Sequence, residues 1–396
     1  MRSIFTALLV TGLLSLGSTQ VGAQQQTTST PAKKKWTVLV FINGNNNLDS
    51  YGAEDINEME EVGSSADVNV VVQWASYKAK TTKRLLVAKD NDIMKVTSKI
   101  LVDMPRVDMG DYKELTKFLE WGMTNFPAEH YFVDVWNHGN GWKNRKSEAA
   151  RNISYDDYTN NSITMPQLRM SLEAAQALAG KKIDIYGSDA CLMNMVEVGT
   201  EIAGAVDIMV GSQETEPGDG WPYETWLARW NEKAMTSPVD IAKALTDTYI
   251  ESYEDKAGSG VTFSVIDLAQ MGPLNDSIKA FTAELMPMVA AEKLNFKKAI
   301  YSSANYYNTD YVDLMSLLAQ MKTSVAAVSA LQTGALVNEN LSKAILYNKV
   351  YDHEANGLSI WAPYYVNTYT QSAARYNELK FQQATNWGAF LSGILK

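Results

Sequence analysis

The sequence predicts an α/β layered fold on a mainly parallel sheet, followed by a mostly helical C-terminal part. Two observations predict it. Short, almost wholly apolar runs recur through the first two thirds of the chain, and stretches of helical character lie between them. Runs that are apolar at successive positions suit strands buried on both faces of a parallel sheet.

Trp36–Asn43 is the first such strand, and Asp49–Val62 the first helix. Val68–Trp74 is a second strand. Arg84–Lys89 and Ile93–Lys99, divided by Asp90-Asn91-Asp92, read as a hairpin. Asp111–Thr124 is an amphipathic helix stopped near Pro127. His130–Trp136 is a third core strand. Asn140–Asn161 is polar and reads as a long exposed loop. Met165–Leu178 is a helix closed by Gly180. Lys182–Tyr186 is a fourth strand, followed directly by a helix over Leu192–Ala203. Asp207–Gly211 is a fifth strand, and an acidic loop, Ser212–Gly220, follows it. The layered part extends through Val261–Leu268. Residues 269–396 are mostly helical, with a strand-like piece at Gly357–Pro363 returning to the sheet.

The N-terminus reads as an address. Arg2 precedes the apolar run Ile4–Leu16, which is too short to span a bilayer, and Val21-Gly22-Ala23 has the small residues of a cleavage site. Residues 1–23 are therefore expected to be a signal peptide and 24–35 a disordered polar tether. A catalytic domain over 36–268 and the helical region over 269–396 complete the expected organisation. The destination is the periplasm or the medium.

The chain has 396 residues, with 35 Lys+Arg against 45 Asp+Glu and a net charge of -10. An acidic surface does not suit nucleic acid, whose phosphates require a basic face. One cysteine permits no intramolecular disulfide, and three histidines leave little for a zinc site.

The chemistry-bearing residues stand at strand ends. Open parallel sheets place ligands outside the C-terminal ends of their strands. His138 lies just past the third strand and Cys191 just past the fourth. If those strands are neighbours, imidazole and thiol emerge side by side. A free thiol is only slightly ionised at neutral pH. A neighbouring imidazole or a helix N-terminus lowers its pKa and makes it a nucleophile. His138 then acts as general base and acid. The N–H groups of Gly139 and Cys191 can form an oxyanion hole. An exported protein gains nothing from an unpaired thiol unless it is used. His130 and His353 read as a packing residue and a surface-loop residue.

Asn137-His138-Gly139 after one strand and Asp189-Ala190-Cys191 after the next resemble the clostripain family of cysteine peptidases, of the caspase-like group with legumain and the gingipains. The likeness covers Trp36–Leu268, most sharply at Trp136–Gly139, Gly187–Cys191 and Ser212–Trp221. The resemblance implies a caspase-like α/β/α sandwich, a His138–Cys191 dyad and cleavage after Arg or Lys.

A pocket for a buried cation needs a carboxylate. The resemblance puts the specificity aspartate at Asp189, which would otherwise suit a helix N-cap. Asp219 is a possible second pocket acid, or simply a turn residue. Glu214 and Glu216 read as solvated charges or structural ion pairs. The resemblance also implies a zymogen that cuts itself in the loop after the histidine. That loop carries Lys143, Arg145, Lys146 and Arg151, with Arg151 or Lys146 as the expected sites. Some proteins of this kind depend on calcium. Asp156, Asp157, Asn160 and Asn161 offer hard oxygens but no EF-hand pattern, so no cofactor or metal is expected. The expected partners are peptide or protein substrates, and the expected state is a monomer without a membrane span. The rival readings are cleavage after Asn or Asp, and a non-catalytic binding protein on the same scaffold.

Overall fold

The structure, a computed structural model, describes residues 33–143, 152–254, 256 and 260–396. The expected signal peptide and almost all of the tether lie outside these residues. In chain order the strands are β1 (Lys34–Gly44), β2 (Val68–Ser76), β3 (Thr81–Leu86), β4 (Lys99–Pro105), β5 (Ala128–Trp136), β6 (Ile153–Asp156), β7 (Asn161–Ile163), β8 (Ile183–Gly187), β9 (Val206–Gly211), β10 (Val261–Asp267), β11 (Tyr311–Asp313), β12 (Ile345–Tyr351) and β13 (Ser359–Trp361). The first six long helices are α1 (Asp49–Val62), α2 (Tyr112–Asn125), α3 (Met165–Ala179), α4 (Val196–Ile202), α5 (Tyr223–Glu232) and α6 (Pro238–Tyr253).

The main sheet runs β12-β10-β9-β8-β5-β1-β2-β3-β4. Its centre, β9-β8-β5-β1-β2, is parallel, and both edges are extended by antiparallel pairing. β1 shows why there are three layers. Leu39 and Phe41 enter one apolar core, whereas Trp36, Val38, Val40 and Ile42 enter the other. Successive side chains of a strand point to opposite faces, so an all-apolar strand must be covered twice. Residues of α2, α3 and α4 cover the first face, and those of α1, α5 and α6 the second.

Four expectations are corrected. The hairpin lies at β3 and β4 rather than at 84–99. The N–H groups of Thr97 and Ser98 donate to the Glu60 carboxylate, which takes that segment out of strand pairing. The helix expected from Leu192 begins only at Val196. Leu192 is left-handed (φ 64°), and the N–H groups of Leu192 and Asn194 donate to the carbonyls of Glu214 and Ser212. The piece at 357–363 does not join the main sheet. β13 pairs with β11, and β12, in a stretch read as helical, forms the sheet edge instead. The boundary at 268 is therefore crossed by the sheet itself.

The fourth correction concerns the exposed loop at 140–161. Many of its described residues are buried, and 153–156 forms β6. Buried Ser154 accepts from Asn43 Nδ2 at 3.1 Å and donates to the Met109 carbonyl at 2.8 Å. The Asp156 carboxylate is taken by Asn45 Nδ2 and by the N–H groups of Met109, Tyr158 and Thr159. These oxygens, considered above for calcium, serve the fold. Lys143 is 2% exposed, and its Nζ lies 2.5 Å from Asp310 Oδ2. Of the loop's basic residues, Lys143 is thus buried and paired. Lys143→Ala removes the charge paired with a buried carboxylate and is expected to destabilise the fold, measured as a lowered denaturation midpoint. Arg145, Lys146 and Arg151 lie outside the described residues.

Candidate active site

Register places the two key side chains together. Asp134 of β5 is paired with Gly187 of β8 in a parallel ladder. His138 and Cys191 each stand four residues beyond their member of that pair, so both leave the same rim of the sheet. They line one cleft of about 290 Å³, with Asp189, Glu216 and Gly218 in its wall.

The histidine is held by its neighbours. Asn137 N donates to the Asp189 carbonyl at 3.1 Å, Asn137 Nδ2 donates to the Asn43 carbonyl at 2.6 Å, and Tyr155 N donates to Asn137 Oδ1 at 2.7 Å. The His138 ring meets Asn47 Oδ1 through Nε2 at 2.8 Å. An amide oxygen only accepts, so in this contact Nε2 carries a proton. Gly139 approaches the cysteine so closely that a Cβ there would lie 2.4 Å from the Cys191 carbonyl oxygen.

Cys191 receives the Glu216 N–H, with the nitrogen 3.4 Å from Sγ. Burial pushes the thiol above its ordinary range, the N–H contacts pull it down, and the charges of Glu214 and Asp189 raise it further. The helix N-terminus expected to activate it is missing, because α4 starts five residues later and has seven residues. Activation must come from the imidazole, from the N–H donor, or from neutralising the nearby acids.

Asp189 caps no helix. It is 5% exposed, and its Oδ2 accepts from Trp221 N at 3.3 Å and from the Tyr223 hydroxyl at 2.9 Å. The same hydroxyl lies 2.7 Å from Asp134 Oδ2. One phenolic proton cannot serve two carboxylates, so one of these acids carries a proton. Burial pushes Asp134 up to about 8 and Asp189 up to about 6. Asp55, bonded to Trp136 Nε1, is also pushed well up by burial. Among the described ion pairs none reaches Asp134, Asp189 or Glu216. Among the described residues, the acids of this floor have no cation in an ion pair with them.

The remaining expectations divide. Asp219 does not enter the cleft. Its side chain is 70% exposed and faces Lys256 at 3.6 Å, beside a neighbouring acidic cavity. The loop turns at Gly220, whose φ of +60° brings it against Asp189 and sends Asp219 outward. Glu214 is a structural pair with His353 Nε2 at 3.1 Å, and His353 stacks on Tyr306. His130 pairs with Asp184 at 2.7 Å and stacks on Trp36. Glu216 is neither solvated nor in a described ion pair. It lines the cleft, and its Oε2 accepts from Trp221 Nε1 at 3.1 Å. The signal for Glu216 and for Asn47 was their place in loops leaving the C-terminal ends of β9 and β1, the rim where His138 and Cys191 sit.

Fold and site together define a caspase-like three-layer sandwich with a thiol and an imidazole at one sheet rim. A sequence model of the Clostripain family matches residues 40–393, and the chain belongs to that family of C11 peptidases. Clostripain of Hathewaya histolytica is 24% identical over 247 residues, which are 54% of this chain and 46% of that protein. The chain thus spans about half the length of that relative. A secreted C11 cysteine protease from Bacteroides thetaiotaomicron, solved with an irreversible peptide inhibitor, superposes with a TM-score of 0.67 at 23% identity, over 89% of this chain and 99% of the other. An inactive zymogen C11 protease from Parabacteroides distasonis gives 0.69 at 16% identity, over 90% and 99%. At these identities the likeness speaks for the fold. Among the described residues no helix is long and apolar enough to cross a membrane.

Proposed function

We propose that the protein is an exported cysteine endopeptidase that hydrolyses peptide bonds after Arg or Lys. The observation that carries this reading is the single cleft lined by His138, Cys191 and Asp189. Cys191 Sγ attacks the scissile carbonyl as the thiolate, its proton passing to the His138 ring. His138 returns that proton to the leaving amine, and water then releases the acyl-enzyme. The N–H groups of Gly139 and Cys191 bind the oxyanion. Buried acids in the cleft wall suit a positive side chain before the cleaved bond and oppose a neutral Asn or an anionic Asp. Activation follows self-cleavage after Lys146 or Arg151. Relatives named as a clostripain, a secreted protease and a zymogen support the same reading.

The test compares peptide reporters ending in Arg, Lys, Asn or Asp, together with labelling by an Arg chloromethyl ketone. Arg or Lys reporters are expected to be cut at least about a hundredfold faster, and the label is expected on Cys191. Preference for Asn overturns the specificity. Absence of both cleavage and labelling favours a binding protein.

A further inference from the structure

We infer that Glu216 couples recognition of the cationic substrate side chain to the nucleophile: its carboxyl is the second acid of the pocket, and its backbone N–H is a donor to the Cys191 sulfur. The inference deepens the function proposed above and rests on it.

The geometry joins two roles in one residue. Glu216 stands in the cleft wall with His138, Asp189 and Cys191. Its nitrogen is 3.4 Å from Sγ, and its Oε2 is fixed by Trp221 Nε1 at 3.1 Å. Its Oε1 is buried, and among the described residues no donor reaches it. The carboxyls of Glu216 and Asp189 are themselves in hydrogen-bonding contact. Two facing carboxylates cannot form that contact without a proton between them. Among the described residues, Asp189, Cys191 and Asp134 from the sheet rim act on Glu216, Glu216 acts on Tyr249 and Tyr253 from α6, and His138 shares its cleft wall. Burial, followed by these charges, holds the Glu216 carboxyl well above its usual range.

A guanidinium is a planar fork of five donors with no acceptor, and it matches a pair of carboxylates. When it enters, the shared proton leaves to solvent and both carboxylates bind the cation. One consequence follows for the sulfur. The acid pair with the bound cation has the same net charge as the pair with its proton, so the change comes through the loop, which, anchored by its side chain on the cation, holds its N–H on Sγ. This favours the thiolate, so the correct substrate side chain helps to ready the nucleophile.

The test uses the full-length protein and Glu216→Gln, which keeps the size and the backbone donor but cannot ionise. Paired reporters carry Arg or citrulline, its neutral isostere. The ratio of kcat/KM values, Arg over citrulline, is expected to fall at least about tenfold in Glu216→Gln, mainly through KM, with partial recovery in Glu216→Asp. A second measurement follows alkylation of Cys191 by iodoacetamide across pH, with and without ethylguanidinium. The probe is expected to lower the apparent thiol pKa of the wild type and to lose that effect in Glu216→Gln. An unchanged Arg-to-citrulline ratio in a folded Glu216→Gln overturns the pocket role. A wild-type alkylation profile that ethylguanidinium does not move overturns the coupling, whether or not the variant folds. A wild type that cleaves after neither Arg nor Lys instead refutes the specificity on which the inference rests.

Discussion

Cys191→Ala is expected to reduce peptide hydrolysis at least about ten-thousandfold while leaving the denaturation midpoint within a few degrees of wild type. The reason is chemical rather than structural. Cys191 is the one cysteine of the chain, so no other thiol can form the acyl-enzyme. Its side chain is only partly buried against the core, so shortening it to a methyl group opens little space. His138→Ala is expected to lose about 10²–10⁴-fold, the usual worth of a positioned proton-transfer group. The double variant is expected to be no worse than Cys191→Ala alone, because the two act as a unit. Rates with an Arg reporter check all three. Gel analysis of the same preparations reads self-cleavage. Wild type is expected to be cut within 140–161 and Cys191→Ala to remain whole. Equal cutting in both would assign the processing to another protease and leave the hydrolytic reading standing.

Asp189→Asn is the second change with a large effect, and its two consequences have opposite signs. A cationic side chain entering the cleft loses a buried carboxylate, so kcat/KM for Arg and Lys reporters is expected to fall about 10²–10³-fold. Stability moves the other way as pH rises. The native Asp189 carboxyl is pushed up to about 6, against an ordinary value near 3.8. Its stabilising contribution is thus full below pH 3.8 and is lost as pH rises through 6, because the native state retains a proton that the unfolded chain releases. Asparagine, which does not titrate, escapes that loss. The variant is therefore expected to gain on wild type between pH 4 and pH 7 by up to about 3 kcal/mol. Melting curves at several pH values measure the gain, and a constant difference across that range would show that the buried carboxyl titrates normally. Loss of activity with gain of stability is the signature of a strained functional acid.

The parallel centre of the fold was legible because each of its strands is an uninterrupted apolar run, a pattern that burial on two faces imposes directly. That His138 and Cys191 share one rim was legible for the same reason, since they follow two such runs on neighbouring strands. What stayed hidden depended on pairings remote in sequence. The segment 192–195 looks helical until the carbonyls of Ser212 and Glu214 take its N–H groups. Residues 153–156 look like loop because Ser154 and Asp156 are polar, yet each finds buried partners about 45 or 110 residues away. Asp219 and Glu216 are both acids of one short loop. Only the turn at Gly220 decides that the first faces water and the second faces the sulfur. Local composition carries none of that information.

β11, β13 and the segments around Tyr307 and Gly357 have one more consequence. Gly357 N donates to Gln213 Oε1, Gln213 Nε2 donates to Asp313, Tyr307 N donates to Glu214, and Ser359 N donates to the Asn194 carbonyl. The loop and turn beside the sulfur are thus fastened by residues that follow them in sequence by 93 to 165 positions. A chain folded only as far as β10 lacks those fasteners, and the attacking group then has no finished cradle. The segment beyond β10 is therefore a built part of the cleft and not an appendage to it.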